Sequence, residues 1–166
     1  VAESGSQAAL LAPTEVLARQ HHASLSALLQ PLQIEVGLLL GQGRTSAQKS
    51  DASQQNQAEP PPTQRSRKAT LAAMADGTLS LVAGTHALLS DTAIFKDLGV
   101  AVIDEQHRFG VRQRNLLGEK GRNVDVMVMT ATPIPRSLAM TAYGDLDHSQ
   151  LDEKPVGRLP INTRVI

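Results

Sequence analysis

Five short aliphatic runs punctuate this chain: QAALLA (residues 7–12), IEVGLLL (34–40), LSLVAG (79–84), LGVAVIDE (98–105) and VDVMVMTA (124–131). Each is the length of a strand and nearly continuous in Ala, Leu, Val and Ile. A strand that reads this way is buried on both faces, the mark of a parallel sheet covered by helices. Helical patterns separate the runs. PTEVLARQHHASLSALLQ (13–30) follows the first, with Val16, Leu17, Leu25, Leu28 and Leu29 as an uneven apolar face. Pro13 and Thr14 signal its start in reversed order, which leaves its first residue open. RKATLAAMADG (67–77) is a helix stopped by Gly77, and PRSLAMTAYG (135–144) begins at Pro and ends at Gly. Strands alternating with helices give an α/β fold with a parallel sheet and helices on both faces.

The core of such a sheet must be aliphatic here. The 166 residues include no Trp, one Tyr and two Phe. A formal net charge of zero supplies no global field for nucleic acid or membrane, so any such contact is local. With no Cys, disulfides and thiolate metal sites are excluded. No apolar run approaches the roughly 20 residues that span a bilayer, and no signal peptide is legible, so no membrane partner is expected.

Residues 42–66 are rich in Ser, Gln, Ala and Pro and carry almost no large apolar side chains. They read as a flexible surface insert, because they bury too little to offset ordering entropy. The alternating pattern resumes after them, so the domain is expected to run over 1–152. The Pro-punctuated residues 153–166 read as a linker. The chain enters mid-pattern, as if cut from something longer.

Ligands of open parallel sheets bind beyond the C-terminal strand ends. Four ends here finish on polar residues: Pro13-Thr14-Glu15, Gly84-Thr85-His86, Asp104-Glu105-Gln106-His107 and Thr130-Ala131-Thr132. Adjacent Asp104 and Glu105 alternate in direction and cannot share one job. Asp104 suits Mg²⁺, which takes one or two carboxylates plus phosphates, often through water. Glu105 suits the activation of an attacking water. The plain alternative is a solvated Asp-Glu turn. Thr130 and Thr132, one strand period apart, offer two hydroxyls on one face. Thr14 and Thr85 serve equally well as phosphodiester contacts or as helix caps. His21, His22, His86 and His107 match no metal spacing and read as solvated or helix-surface side chains. A phosphate loop is missing: GQGRTSAQKS (41–50) is Gly-rich but lacks the Gly-Lys-Ser/Thr of a P-loop.

The ordered set APTE (12–15), GTHAL (84–88), VIDEQHRFGVRQR (102–114), VMTATPIPR (128–136) and YGDLD (143–147) resembles the first motor domain of the RecG-type ATP-dependent DNA helicases of superfamily 2. PVGRLPINTRVI (155–166) resembles that family's passage into its second motor domain. The resemblance implies a RecA-like α/β domain from which the phosphate-loop strand is missing. It also implies ATP and Mg²⁺ as cofactors. Asp104 would bind Mg²⁺–ATP and Glu105 would activate water. Gln106, His107, Thr130 and Thr132 would couple ATP state to DNA. Thr14, Glu15, Gly84, Thr85 and His86 would face the DNA strand.

Relatives of this kind remodel stalled forks and branch-migrate Holliday junctions in bacterial repair and recombination. The implied partners are branched DNA, a second motor domain and an N-terminal wedge domain. The implied location is the bacterial cytoplasm, at the nucleoid. The isolated chain is expected to be inactive and marginally stable, since the phosphate loop would lie upstream of Val1. The competing reading is a non-hydrolysing DNA- or partner-binding module derived from a motor domain. A further one is a different Mg²⁺-dependent α/β hydrolase.

Overall fold

The computed structural model describes residues 4–41, 65–105, 109, 116–132, 147 and 149–151. It divides into two compact units, Val1–Ala131 and Thr132–Ile166. The expected helix at 135–144, most of the polar insert and the 153–166 linker lie outside the described residues.

The first unit holds five parallel strands: β1 (Gln7–Leu11), β2 (Val36–Leu39), β3 (Leu81–Gly84), β4 (Leu98–Ile103) and β5 (Asp125–Val128). Their spatial order is β2-β3-β1-β4-β5, and every pairing is parallel. The expected α/β architecture is therefore present. All five C-terminal ends lie along one edge, as parallel pairing requires.

Helix α1 (Glu15–Leu29) follows β1, and α2 (Arg67–Asp76) precedes β3. The open question of where α1 begins is settled by Thr14, whose hydroxyl accepts from the Leu17 amide at 3.3 Å. Thr14 is thus the N-cap. Ser66 caps α2 in the same way through the Ala69 amide. Gly77 ends α2 at φ 82°, a left-handed position that favours glycine.

Side-chain alternation along the strands divides the core. Ala9, Leu11, Leu39, Val82, Ala101 and Ile103 join Ala73 and Met74 of α2 in one buried cluster. Leu10 faces the other way and packs with Ala18 of α1, flanked by Leu17, Leu25, Leu38 and Val102. Each fully buried Leu or Ile contributes about 1.5–3 kcal/mol, and both Phe residues, Phe95 and Phe109, join the larger cluster.

One polar side chain sits within this packing. Gln7, 2% exposed, donates from Nε2 to the carbonyls of Met74 (2.9 Å) and Leu79 (2.8 Å). Its Oε1 accepts from the amides of Lys96 (2.8 Å) and Asp97 (3.1 Å). Both donors and both lone pairs of the amide are used. The side chain pins the end of α2 and the approach to β4 onto the start of β1.

Strand β5 departs from the expectation of burial on both faces. Asp125, Val126 and Met127 are exposed, the last two at 37% and 58%. It lies at the sheet edge and pairs with β4 alone among the described residues. Two 3-10 turns, Gln30–Leu32 and His86–Leu89, were not apparent from periodicity; such short turns carry too few residues to show one.

Candidate active site

The acidic pair ends β4. The Asp104 amide donates to the Leu11 carbonyl at 2.9 Å, so the ladder with β1 still holds the backbone at this residue. Alternation sets the side chain. Ala101 and Ile103 enter the α2-side core, whereas Val102 faces α1. Asp104, two residues beyond Val102, falls on the α1 side. There its Oδ2 lies 2.7 Å from Nε2 of His21, with both side chains largely enclosed. A carboxylate can only accept, so the Nε2–H of His21 donates this bond.

Glu105 marks where the chain leaves the sheet. Its φ is 50°, a left-handed value that a side chain bearing Cβ rarely adopts. Such backbone strain gathers at functional sites and is held there by surrounding structure. The chain turns here, directly after the last residue of the β4 end that the ladder holds.

Histidines read from sequence as surface groups prove to be anchors. His21 holds Asp104, and the adjacent His22 reaches the Val36 carbonyl at 3.0 Å through Nε2. Both lie on α1, about 100° apart around the helix. The signal available in sequence was position. His21 falls three residues after Ala18 and four after Leu17, on the stripe that packs against the sheet. A polar group placed there needs a partner.

The proposed DNA-facing residues come together at the same sheet edge, with different local duties. Thr14 and Glu15 are exposed at the start of α1, and Thr14 caps the helix. The carboxylate of Glu15 favours the helix's positive end. Gly84 ends β3 in close contact with β2; a Cβ there would lie 2.3 Å from the Leu39 carbonyl oxygen. Thr85 is 2% exposed, and its hydroxyl accepts from the Gly41 amide at 3.2 Å. This bond ties the segment after β3 to the end of the segment after β2. His86 is exposed, with its ring against Gly41.

Thr130 is half-buried, beyond the last ladder bond from the Met129 amide to the Ile103 carbonyl (2.8 Å). Thr132 is exposed and opens the second unit. The hydroxyls expected on one strand face therefore lie past the end of β5. Gln106 and His107 lie outside the described residues.

A feature not anticipated from sequence flanks the start of α1. An open cleft of about 320 Å³ is lined by Glu15, Arg19, Leu38, Leu40, Arg65 and Arg67. Arg65 also makes a bidentate contact with Glu35 (2.5 and 2.6 Å), which holds the Glu35 carboxyl below its ordinary range. Arg67 donates to the Leu40 carbonyl. These residues lie far apart in sequence, and the fold gathers them.

Known proteins resemble this chain in sequence and in fold. The "ATP-dependent DNA helicase RecG" of Synechocystis sp. is 47% identical over 99% of this chain, which covers 17% of that protein. Those of Acidithiobacillus ferridurans and Escherichia coli O157:H7 are 46% and 45% identical over 99% and 98% of the chain, and 21% of each is covered. The chain thus spans about a fifth of the length of the curated relatives it matches. The solved structure of RecG bound to a three-way DNA junction superposes with a TM-score of 0.64 at 38% identity, covering 93% of this chain and 18% of that one. The parallel sheet is accordingly the RecA-like arrangement. The helicase MrfA shares the fold at 18% identity and a TM-score of 0.51, over 85% of this chain and 22% of its own. A family model described as DEAD/DEAH box helicase matches residues 1–141, a span that contains the whole sheet and the Asp104-Glu105 turn. The chain belongs to the DEAD/DEAH box helicase family.

Proposed function

We propose that this chain is part of the first motor domain of an ATP-dependent DNA helicase acting on branched DNA in repair and recombination. The observation that carries the reading is the end of β4. A ladder-fixed Asp104 and a backbone-strained Glu105 stand at the C-terminal edge of an all-parallel sheet. Motor residues 1–152 and a linker at 153–166 toward a second motor domain complete the proposed organisation, with a wedge domain elsewhere in the protein. Its working location is the bacterial cytoplasm, on nucleoid DNA.

The donor set fits Mg²⁺. Asp104 offers hard carboxylate oxygen, and His21 is its side-chain partner on Oδ2 alone among the described residues. No group of three or more metal-ligating side chains occurs among the described residues. Mg²⁺ is commonly held by one or two carboxylates, waters and the nucleotide's own phosphates. Asp104 would hold Mg²⁺–ATP, most simply through water. When bound, the ion neutralises charge on the phosphates.

Glu105 orients and deprotonates the attacking water. Gln106, His107, Thr130 and Thr132 connect this site to DNA. Thr14, Glu15, Gly84, Thr85 and His86 form the DNA edge. Thr85 serves it by bracing the Gly41 backbone, while exposed His86 and the Thr14-Glu15 end meet the strand. Arg19, Arg65 and Arg67 in the neighbouring cleft add cationic groups of the kind that contact phosphodiester oxygens.

The test is ATP turnover and strand separation by the full-length protein on three-way junctions and on linear duplex. Mg²⁺-dependent turnover stimulated by the junction supports the reading. Junction binding without any turnover would instead favour a non-hydrolysing module.

A further inference from the structure

We infer that His21 is a positioning residue for Asp104, presented by α1 to fix the carboxylate that faces the nucleotide; this rests on the reading of Asp104 proposed above. Leu17, Ala18, His21 and Leu25 fall on one stripe of α1, by their spacing of three and four residues. Leu17, Ala18 and Leu25 pack with Leu10, Leu38 and Val102 of the sheet. A histidine within that stripe is held in place by its apolar neighbours. His22 adds a second anchor through the Val36 carbonyl at 3.0 Å, which opposes rotation of α1 about its axis. His21 therefore reaches Asp104 from a fixed support.

The bond itself sets the carboxylate. With Oδ2 held at 2.7 Å by Nε2, rotation about the Cβ–Cγ bond is restrained. Groups that hydrogen-bond a ligating side chain in this way orient it, and their loss commonly reduces metal affinity or activity by about 10- to 100-fold. A histidine that merely tied helix to sheet would alter stability and leave the ion requirement unchanged.

The experiment uses the full-length protein and measures binding of a fluorescent ATP analogue as Mg²⁺ is titrated, together with kcat and KM for ATP. His21→Asn removes the reach, because the amide of Asn is too short to meet Oδ2. His21→Gln keeps a nitrogen donor near the position of Nε2. The expected result is a rise of about tenfold in the Mg²⁺ concentration at half-saturation for His21→Asn. A matching fall in kcat, little change in KM at saturating Mg²⁺, and substantial recovery in His21→Gln are expected with it. A His21→Asn protein with wild-type melting temperature and a half-saturation within twofold of wild type would overturn the inference. Equal loss in His21→Gln and His21→Asn would overturn it as well. Asp104→Asn separates the two levels. If it leaves the Mg²⁺ requirement unchanged, the reading of Asp104 fails. If it abolishes that requirement's effect while His21→Asn is silent, only the role of His21 fails.

Discussion

The side-chain amide of Gln7 and the main-chain carbonyl of Met74 are joined at 2.9 Å inside the core, 67 residues apart in sequence. Three more main-chain bonds complete the set around that one amide. Gln7→Leu would remove all four of these bonds, although the Lys96 amide and the Met74 carbonyl keep their own bond at 3.3 Å. A buried group left without a partner costs about 1–3 kcal/mol, less where water or local rearrangement reaches it. A loss of about 1–3 kcal/mol is expected, read as a lower midpoint in denaturant with activity per folded molecule preserved.

A second prediction concerns Gly84. A methyl group there would sit 2.3 Å from the Leu39 carbonyl oxygen and 2.9 Å from Leu88 Cγ. The first neighbour is backbone of the paired strand and cannot swing aside. Gly84→Ala is expected to cost about 1–3 kcal/mol as overpacking and to displace Thr85 from Gly41. Thermal denaturation checks the first effect. DNA affinity of the folded fraction checks the second, and it should fall.

Thr14 separates two duties that sequence left open. Thr14→Ala removes the cap bond to the Leu17 amide and is expected to lower stability by about 1 kcal/mol. Thr14→Ser restores the cap. If DNA affinity drops in Thr14→Ala and returns in Thr14→Ser, the hydroxyl serves both helix and strand. Recovery of stability without recovery of affinity assigns the DNA contact to the methyl group's surroundings.

The Glu35–Arg65 pair gives a pH prediction. Hydrogen bonding to Arg65 lowers the folded-state pKa of Glu35 from 4.5. A carboxylate with a depressed folded pKa adds stability above its unfolded value, and the gain is lost as pH falls through the folded one. Both side chains are more than a third exposed, so screening limits the contribution to less than about 1 kcal/mol. Glu35→Gln should therefore lower the melting temperature slightly at neutral pH. The difference from wild type should vanish in acid, below that depressed pKa.

Much of this architecture was legible in the chain itself, and the exceptions share a cause. Aliphatic runs located all five strands, since burial on both faces leaves a continuous apolar signature. Gly77 marked a helix end because its chemistry is local. The acidic turn was visible because Asp104 and Glu105 are neighbours in sequence. What stayed hidden was contact at long range. Nothing adjacent to His21 names Asp104, 83 residues away. Nothing near Gln7 names Lys96. The exposure of β5 was also missed, because its composition is that of an interior strand. The cleft lined by Arg19, Arg65 and Arg67 exists only once α1 and the start of α2 are brought beside β2.

Glu105→Gln tests whether the end of β4 is an ATP-hydrolysing site. The substitution keeps the size of the side chain and removes the base. In the full-length protein, the measurement is single-turnover ATP hydrolysis alongside nucleotide affinity, with junction DNA present. The expected result is retained Mg²⁺–ATP binding with hydrolysis slowed by about 100-fold or more, in line with loss of a general base. Hydrolysis within a few-fold of wild type in a folded Glu105→Gln protein would contradict the account.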